Sequence, residues 1–398
     1  MSISQKLMSA KSGVVTNWDT WDHSQDGSVT NLSVGGVSTN DSQYVMTTES
    51  KGILFSCTAL NDSFNAQLIE VTGDTITRTG NLIQITPEVD GYGSPGATKM
   101  GEDLAFVIYE RIPNTWWYYV IDTSGTSPVV LASGSLYSPS NDDFVLRQVA
   151  YFEEGKVLVV GDVTSGTSHD WWVFTWNGST ISRTRNVNPA GTNLTPYNFF
   201  ADVRNGYLAM VSTQTYLRTA VIACPATTIS VAVSDDLWPT SGRIYDKASS
   251  SAIPTAAWIT DDRFIIAATC YDSTANKGWV EVFLWSWNGS SLTLLDKHDL
   301  DQINTGQSNT PRQVACVGVD ENKKLAFVAY MNDGGSSPQD VKGVVISIDG
   351  DVITEITSTY LLHTSGRSSG LIVEKLTPDR LLVMNMHYHQ EAQIINGA

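Results

Sequence analysis

Gln148-Val149-Ala150-Tyr151-Phe152, Glu154-Gly155-Lys156, Val157-Leu158-Val159-Val160, Trp172-Val173-Phe174-Thr175-Trp176, Asn177-Gly178 and Thr180-Ile181-Ser182-Arg183 follow one another in a single stretch of this chain. The first run is moderately apolar and ends in a polar turn. The second is apolar without alternation, the pattern of a strand covered on both faces. The third is rich in aromatic and β-branched residues, which suit a pleated, half-buried surface. Asn-Gly then supplies the positive φ that a two-residue hairpin turn needs. The last run is more polar and reads as the outermost of four antiparallel strands.

The unbroken apolar second strand recurs at Ile53-Leu54-Phe55, Leu104-Ala105-Phe106-Val107-Ile108, Tyr207-Leu208-Ala209-Met210-Val211, Phe264-Ile265-Ile266-Ala267-Ala268, Leu325-Ala326-Phe327-Val328-Ala329 and Leu381-Leu382-Val383-Met384. Counting the copy at Val157, successive copies begin 51, 53, 50, 57, 61 and 56 residues apart. A period of this size marks one supersecondary unit stacked many times around a shared core. The hairpin turn recurs as Gly73-Asp74, Asn288-Gly289 and Asp349-Gly350. Four strands per unit, repeated seven times, predict an all-β chain: a seven-bladed β-propeller of four-stranded antiparallel blades.

The seventh copy stops early. Its third strand, Ala392-Gln393-Ile394-Ile395, leads into Asn396-Gly397-Ala398, and no fourth strand follows. At the other end, Asp26-Gly27-Ser28-Val29-Thr30-Asn31-Leu32-Ser33-Val34 reads as a fourth strand with no third before it. The expectation is that residues 28–34 complete the last blade and close the ring, removing its open edges. The domain reading is then 1–27, an N-terminal leader or docking arm, and 28–398, one propeller domain. Trp18 and Trp21 lie in that leader.

Composition narrows the function classes. Apolar residues are 41% and charged residues 16%, which excludes a disordered chain. The formal net charge of −17 opposes phosphate backbones and anionic membranes, so neither nucleic acid nor a membrane is an expected partner. Cys57, Cys224, Cys270 and Cys316 fall in different repeats without C-x-x-C spacing, and read as buried thiols. The first residues lack the apolar core of a secretory signal, and no run is long enough to span a bilayer. Synthesis and folding in cytosol is the expectation, compatible with later incorporation in a particle.

Candidates for chemistry are few. His387 and His389 are two apart, so on a strand both rings share a face and make a weak pair of metal ligands, with Glu391 on the same parity. Isolated strand-end histidines without metal are far commoner. Acidic pairs occur at Asp142-Asp143, Asp235-Asp236 and Asp261-Asp262, and adjacent aspartates more often serve turns than hydrolysis. Ala150, Phe200, Ala256 and Ala315 stand on the first strands where an enzyme would want ligands or carboxylates. No catalytic residue and no cofactor is assigned. Among the 12 tryptophans, Trp18, Trp21, Trp116 and Trp171 are candidate binding residues, since an open indole stacks on sugars or anchors an interface. Packing between blades is the competing role for the same residues.

In period and strand order the chain resembles β-propellers across almost its whole length. The marks of particular subfamilies are missing. Trp-Asp does not end the third strands, and Ser24-Gln25-Asp26-Gly27 has its glycine one position early for the sialidase-type box. The divergent repeats, low Lys content and free leader resemble propeller-type structural proteins of tailed-phage virions. That resemblance implies a non-enzymatic structural or interaction protein of a bacteriophage virion, tail- or capsid-associated, held to other virion or assembly proteins by its leader. The alternative reading is a carbohydrate-binding, lectin-like propeller that meets a host-surface glycan. A glycosidase or lactonase is the third. Loops at Tyr92-Gly93-Ser94-Pro95, Tyr137-Ser138-Pro139-Ser140, Pro189-Ala190-Gly191-Thr192 and Asp333-Gly334-Gly335-Ser336 are where recognition is expected.

Overall fold

The structure, a computed structural model, describes residues 18, 21, 26–27, 30–32, 42–58, 63–86, 95–111, 115–136, 144–163, 169–187, 199–204, 207–213, 217–223, 230–237, 243–244, 254–272, 277–304, 314–332, 339–365, 371–385 and 391–397. Among these residues the strands form seven antiparallel sheets of four or five strands each.

A short strand, β1 (Thr30–Asn31), precedes the first sheet. Sheet 1 holds β2 (Ser42–Met46), β3 (Lys51–Thr58), β4 (Ser63–Thr72) and β5 (Thr75–Thr86) in that order. Sheet 2 repeats the order with β6 (Gly96–Gly101), β7 (Leu104–Arg111), β8 (Thr115–Asp122) and β9 (Val129–Leu136). Sheet 3 is β10 (Phe144–Glu153), β11 (Lys156–Val163), β12 (His169–Trp176) and β13 (Ile181–Val187). Sheet 4 is β14 (Phe199–Arg204), β15 (Tyr207–Thr213), β16 (Leu217–Ala223) and β17 (Ser230–Leu237).

The next two sheets have five strands. Sheet 5 contains β18 (Arg243–Ile244), β19 (Thr255–Trp258), β20 (Arg263–Asp272), β21 (Lys277–Trp287) and β22 (Leu292–Asn304). Sheet 6 contains β23 (Val314–Asp320), β24 (Leu325–Asn332), β25 (Gln339–Asp349), β26 (Val352–Glu355) and β27 (Tyr360–Ser365). The extra strands were not expected from the four-strand unit, and their cause is backbone pairing. The four residues of β19 cover only Phe264 to Ala267 of β20, and β18 pairs with Tyr271 and Asp272 beyond them. Likewise β26 covers Ile346 to Asp349 of β25, and β27 covers Gln339 to Gly343. A long strand whose neighbour is short still has amide groups to satisfy.

Sheet 7 holds β28 (Leu371–Thr377), β29 (Arg380–Asn385) and β30 (Glu391–Asn396), and its fourth member is β1. Thr30 lies opposite Ala392 and Asn31 opposite Glu391. The segment just before β1 also follows β30: Gly27 N donates to Ile394 O at 2.8 Å, and Asn396 N donates to Asp26 Oδ1 at 2.9 Å.

Hairpin turns stand where the sequence puts them. Gly73, Gly178, Gly289 and Gly350 have φ of 56°, 96°, 92° and 62°. At Gly178 and Gly289 a side chain would strain this left-handed backbone. Asn177 Oδ1 accepts from Ser179 N at 3.0 Å and Thr180 N at 2.8 Å, and Asn288 does the same for Ser290 N and Ser291 N at 3.0 and 2.8 Å. These bonds from the asparagine side chain to the main chain two and three residues on account for asparagine at both turns.

The core lies between sheets, and strand alternation divides it. Phe106 and Ile108 of β7 pack with Val157, Val159 and Phe174 of sheet 3. Their neighbours Ala105, Val107 and Tyr109 pack with Ile53, Phe55 and Phe64 of sheet 1. A second strand clamped between two sheets therefore needs apolar residues at both parities, which is why these runs do not alternate. The same arrangement joins sheet 5 to 6, sheet 6 to 7, and sheet 7 to sheet 1.

Candidate functional site

The first strands β2, β6, β10, β14, β19, β23 and β28 lie against one another in chain order. Between β28 and β2, Met46 N donates to Glu374 Oε2 at 3.4 Å. This row of strands and the turns that follow them gather ionisable side chains from distant repeats. Asp202 of β14 accepts from Trp258 N at 2.8 Å, and its own carbonyl accepts from Trp258 Nε1 at 3.0 Å. Arg204 reaches two sheets at once: Nε donates to Asp261 Oδ1 at 2.5 Å, and Nη2 donates to Glu321 Oε1. Burial works against its charge, but the hydrogen bonds it donates to Glu321 and Asp261, with their negative charge, outweigh that and hold the guanidinium above its ordinary range.

Lys375 Nζ donates to Val319 O at 2.5 Å, from sheet 7 to sheet 6. Burial pushes this ammonium down to about 8, against the pull of Asp320 and Glu321. Farther out the same kind of bond recurs. Lys51 Nζ donates to Ser124 O and Gly125 O at 2.9 and 2.6 Å, Arg263 Nη1 to Gly350 O and to Asp351 Oδ1 at 2.6 Å, and Arg380 Nη2 to Gly73 O. Asp296 Oδ2 accepts from Ile353 N at 2.7 Å. A side chain of one sheet bonded to the main chain of the next fixes the angle between them.

One group of three is different. Glu374 of β28, Tyr44 of β2 and Lys99 of β6 come from sheets 7, 1 and 2. Burial pushes the Glu374 carboxyl up to about 7, offset in part by Met46 N and by the Lys99 charge. Lys99 is lowered, first by burial, with Glu374, Glu154, Glu102 and Asp103 pulling the other way. The Tyr44 hydroxyl is buried without a hydrogen-bond partner, and burial followed by the nearby Glu374 charge raises its pKa. Here a raised carboxyl, a lowered ammonium and a buried phenol without a hydrogen-bond partner meet from three different sheets.

Apart from Asp261, none of these residues was singled out from the sequence, where Ala150, Phe200, Ala256 and Ala315 stood for the first strands. Those alanines are buried in the core, whereas Lys99, Asp202, Arg204, Glu374 and Lys375 occupy other positions on the same row of strands. Each stands a few residues before its repeat's first turn, and a search at that offset would have found them.

The four tryptophans chosen as binding residues are all buried, which corrects the expectation of open rings. Trp18 is 0% and Trp21 is 2% exposed, both packed between sheets 6 and 7 with Phe327. Trp18 Nε1 donates to Pro378 O at 2.8 Å, and Trp21 stands edge-on to Phe327 and Tyr360 at 5.2 and 5.0 Å. Trp116 and Trp171 are 3% and 1% exposed. Alternation on β8 and β12 turns them inward, so packing claims the indoles. His387 and His389 lie outside the described residues, as do Asp142-Asp143 and the expected recognition loops apart from Pro95. Among the described residues no group of three His, Cys, Asp or Glu side chains is placed to hold a metal.

The other acidic pairs divide. Asp235 and Asp236 lie within β17, not in a turn, while Asp261 and Asp262 form the turn after β19, where Asp262 O accepts from Trp287 N at 2.8 Å. Cys270 and Cys316 are buried and in no disulfide; burial pushes the Cys316 thiol up to about 12, and its Sγ lies 3.7 Å from Thr255 Oγ1. No described helix is long and apolar enough to cross a membrane.

No family model matches the chain, and no curated protein matches it. Among solved structures, the β-propeller domain of Nup133 from Vanderwaltozyma polyspora aligns over 94% of this chain and 98% of its own, with a TM-score of 0.54 and 10% identity. The six-bladed β-propeller lectin of Aleuria aurantia aligns over 83% and 98%, with a TM-score of 0.43 and 12% identity. A post-proline cleaving enzyme from Rickettsia typhi aligns over 90% of this chain and 49% of its own, with a TM-score of 0.40 and 10% identity. The first likeness is one of fold: the chain is all-β, built of antiparallel sheets in the β-propeller architecture. The other two are too distant to bear on function.

Proposed function

We propose that this chain is a seven-bladed β-propeller, closed by residues 28–34 completing the last blade, that serves as a non-enzymatic interaction scaffold in a larger assembly. The kind of assembly is the tailed-phage virion, and the N-terminal leader is the part that docks. Closure is supported by the pairing of β1 with β30 and by the seven sheets found among the described residues.

The observation that carries the scaffold reading is the use made of the polar side chains on the row of first strands. Asp202, Arg204 and Lys375 are spent on bonds from one sheet to the next, the geometry of a stiff frame. Trp18 and Trp21, seated between sheets 6 and 7, give the residues before them a fixed point of departure.

Deleting residues 1–12 should leave the far-ultraviolet circular dichroism and the melting temperature unchanged and abolish incorporation into purified particles. Unchanged incorporation rejects leader docking. Hydrolysis of aryl glycosides or lactones by the intact protein, lost in Glu374→Gln, would overturn the non-enzymatic reading.

A further inference from the structure

The row of first strands does not treat its polar side chains alike. From sheet 4 to sheet 7, Asp202, Arg204, Asp261, Glu321 and Lys375 take part in bonds that run from one sheet to the next. From sheet 7 through sheets 1 and 2 to sheet 3, the side chains of Glu374, Tyr44, Lys99, Tyr151 and Glu154 gather without a hydrogen bond or ion pair between them among the described residues. Glu374 does accept from the main chain, but the bond from Met46 N is long at 3.4 Å.

Local geometry draws these groups together. Tyr44 and Met46 are two apart on β2, so they share a face, and the Tyr44 hydroxyl feels the Glu374 charge. A Cβ on Gly101 would collide with Glu154 Oε1, so glycine there lets that carboxylate lie against the end of β6, two residues from Lys99. The hydroxyls of Tyr44 and Tyr151 are both buried without a hydrogen-bond partner. Glu374 and Lys99 are half-buried and Glu154 is exposed, so the group opens to solvent. Buried hydroxyls without partners cost stability, and two of them beside an unbonded ammonium call for an occupant.

We propose that Glu374, Lys99 and Glu154 form a binding site for a free basic α-amino acid: Glu374 takes the α-ammonium, Lys99 the carboxylate and Glu154 the side-chain cation, while the Tyr44 hydroxyl donates to the Glu374 carboxylate from behind. The alternation of sign selects this class. Negative, positive and negative groups come from sheets 7, 2 and 3, and Glu102 and Asp103 add negative charge around Lys99. Charge-assisted hydrogen bonds are the strong ones, and a ligand of opposite alternation makes three. A neutral sugar would satisfy the hydroxyls and gain nothing from the signs. An ammonium beside Glu374 favours the ionised carboxyl, which burial otherwise pushes up to about 7, so binding near neutral pH releases protons. The site shares no residue with the leader, and neither proposal depends on the other.

The test is isothermal titration calorimetry of the full chain with L-lysine at neutral pH, in phosphate and in Tris, whose ionisation enthalpies differ. Saturable binding is expected, with an apparent enthalpy that changes between the buffers because protons leave. N-acetyl-L-lysine, which lacks the α-ammonium, and cadaverine, which lacks the carboxylate, should each bind about tenfold more weakly or worse. Glu374→Gln should weaken L-lysine binding by about tenfold or more and remove the buffer dependence. Tyr44→Phe, which deletes one hydroxyl and keeps the ring, should weaken it severalfold. Melting temperatures keep misfolding apart from lost binding, and the two analogues decide the matter on the wild type if the Glu374 variant unfolds. No saturable heat at millimolar L-lysine leaves ordered water as the occupant and overturns the proposal. So does equal binding of N-acetyl-L-lysine, cadaverine or glucose, or undiminished binding in a folded Glu374→Gln.

Discussion

Replacing Glu374 by Gln should change how stability depends on pH in a direction fixed by its surroundings. The carboxyl has an ordinary value of 4.5 and is raised to about 7 in the folded chain, because burial penalises its charge more than Met46 N and Lys99 relieve it. The folded state therefore holds this proton more tightly than the unfolded state. That contribution is full below about pH 4.5 and is lost as pH rises through about 7. At about 1.4 kcal/mol per pH unit, the gap sets an upper bound of about 3.4 kcal/mol. Glu374 is only half-buried, and solvent screening reduces the figure to about 1–2 kcal/mol.

The assay is urea unfolding of the wild type and Glu374→Gln at pH 5, 6, 7 and 8, taking the difference at each pH so that the other carboxylates cancel. The variant should gain on the wild type by about 1–2 kcal/mol between pH 5 and pH 8, which for a chain of this size is about 1–3 °C in melting temperature. Lys99→Met should move the midpoint upward, since the Lys99 charge favours the ionised carboxyl. A difference that stays flat from pH 5 to 8, or that slopes the other way, refutes the reasoning.

Three further outcomes follow from packing and turns. Trp18→Ala removes a ring that is wholly buried between sheets 6 and 7, and should cost about 3–5 kcal/mol in urea unfolding. Arg204→Met leaves Asp261 and Glu321 without their shared cation; Asp261 is exposed and Glu321 partly so, and the loss should be about 1–2 kcal/mol, with coupling to Glu321→Gln measured by a double-mutant cycle. Gly289→Ala forces a side chain into a φ of 92° and should cost about 1 kcal/mol or more by thermal melting, with no change in the number of sheets.

The strands, their order within each sheet and the hairpin turns were legible in the chain because their causes are local. Leu104 to Ile108 is apolar at both parities because two sheets flank it, and Asn288-Gly289 turns because that dipeptide tolerates a left-handed residue. The extra strands β18 and β27 escaped notice because two to six residues carry little pattern of their own, and their pairing depends on how much of β20 and β25 a neighbour leaves uncovered.

What surrounds a side chain was decided only by the tertiary structure. Trp18 and Trp21 look free in a polar leader, and their burial depends on Phe327 and Tyr360, more than three hundred residues away. Tyr44, Lys99 and Glu374 have nothing in common along the chain, yet sheet 7 lies against sheet 1 and gathers them. Local sequence specifies backbone conformation through dihedral preference and alternation. Burial and charge environment depend on which distant strands lie alongside, and no local window contains that information.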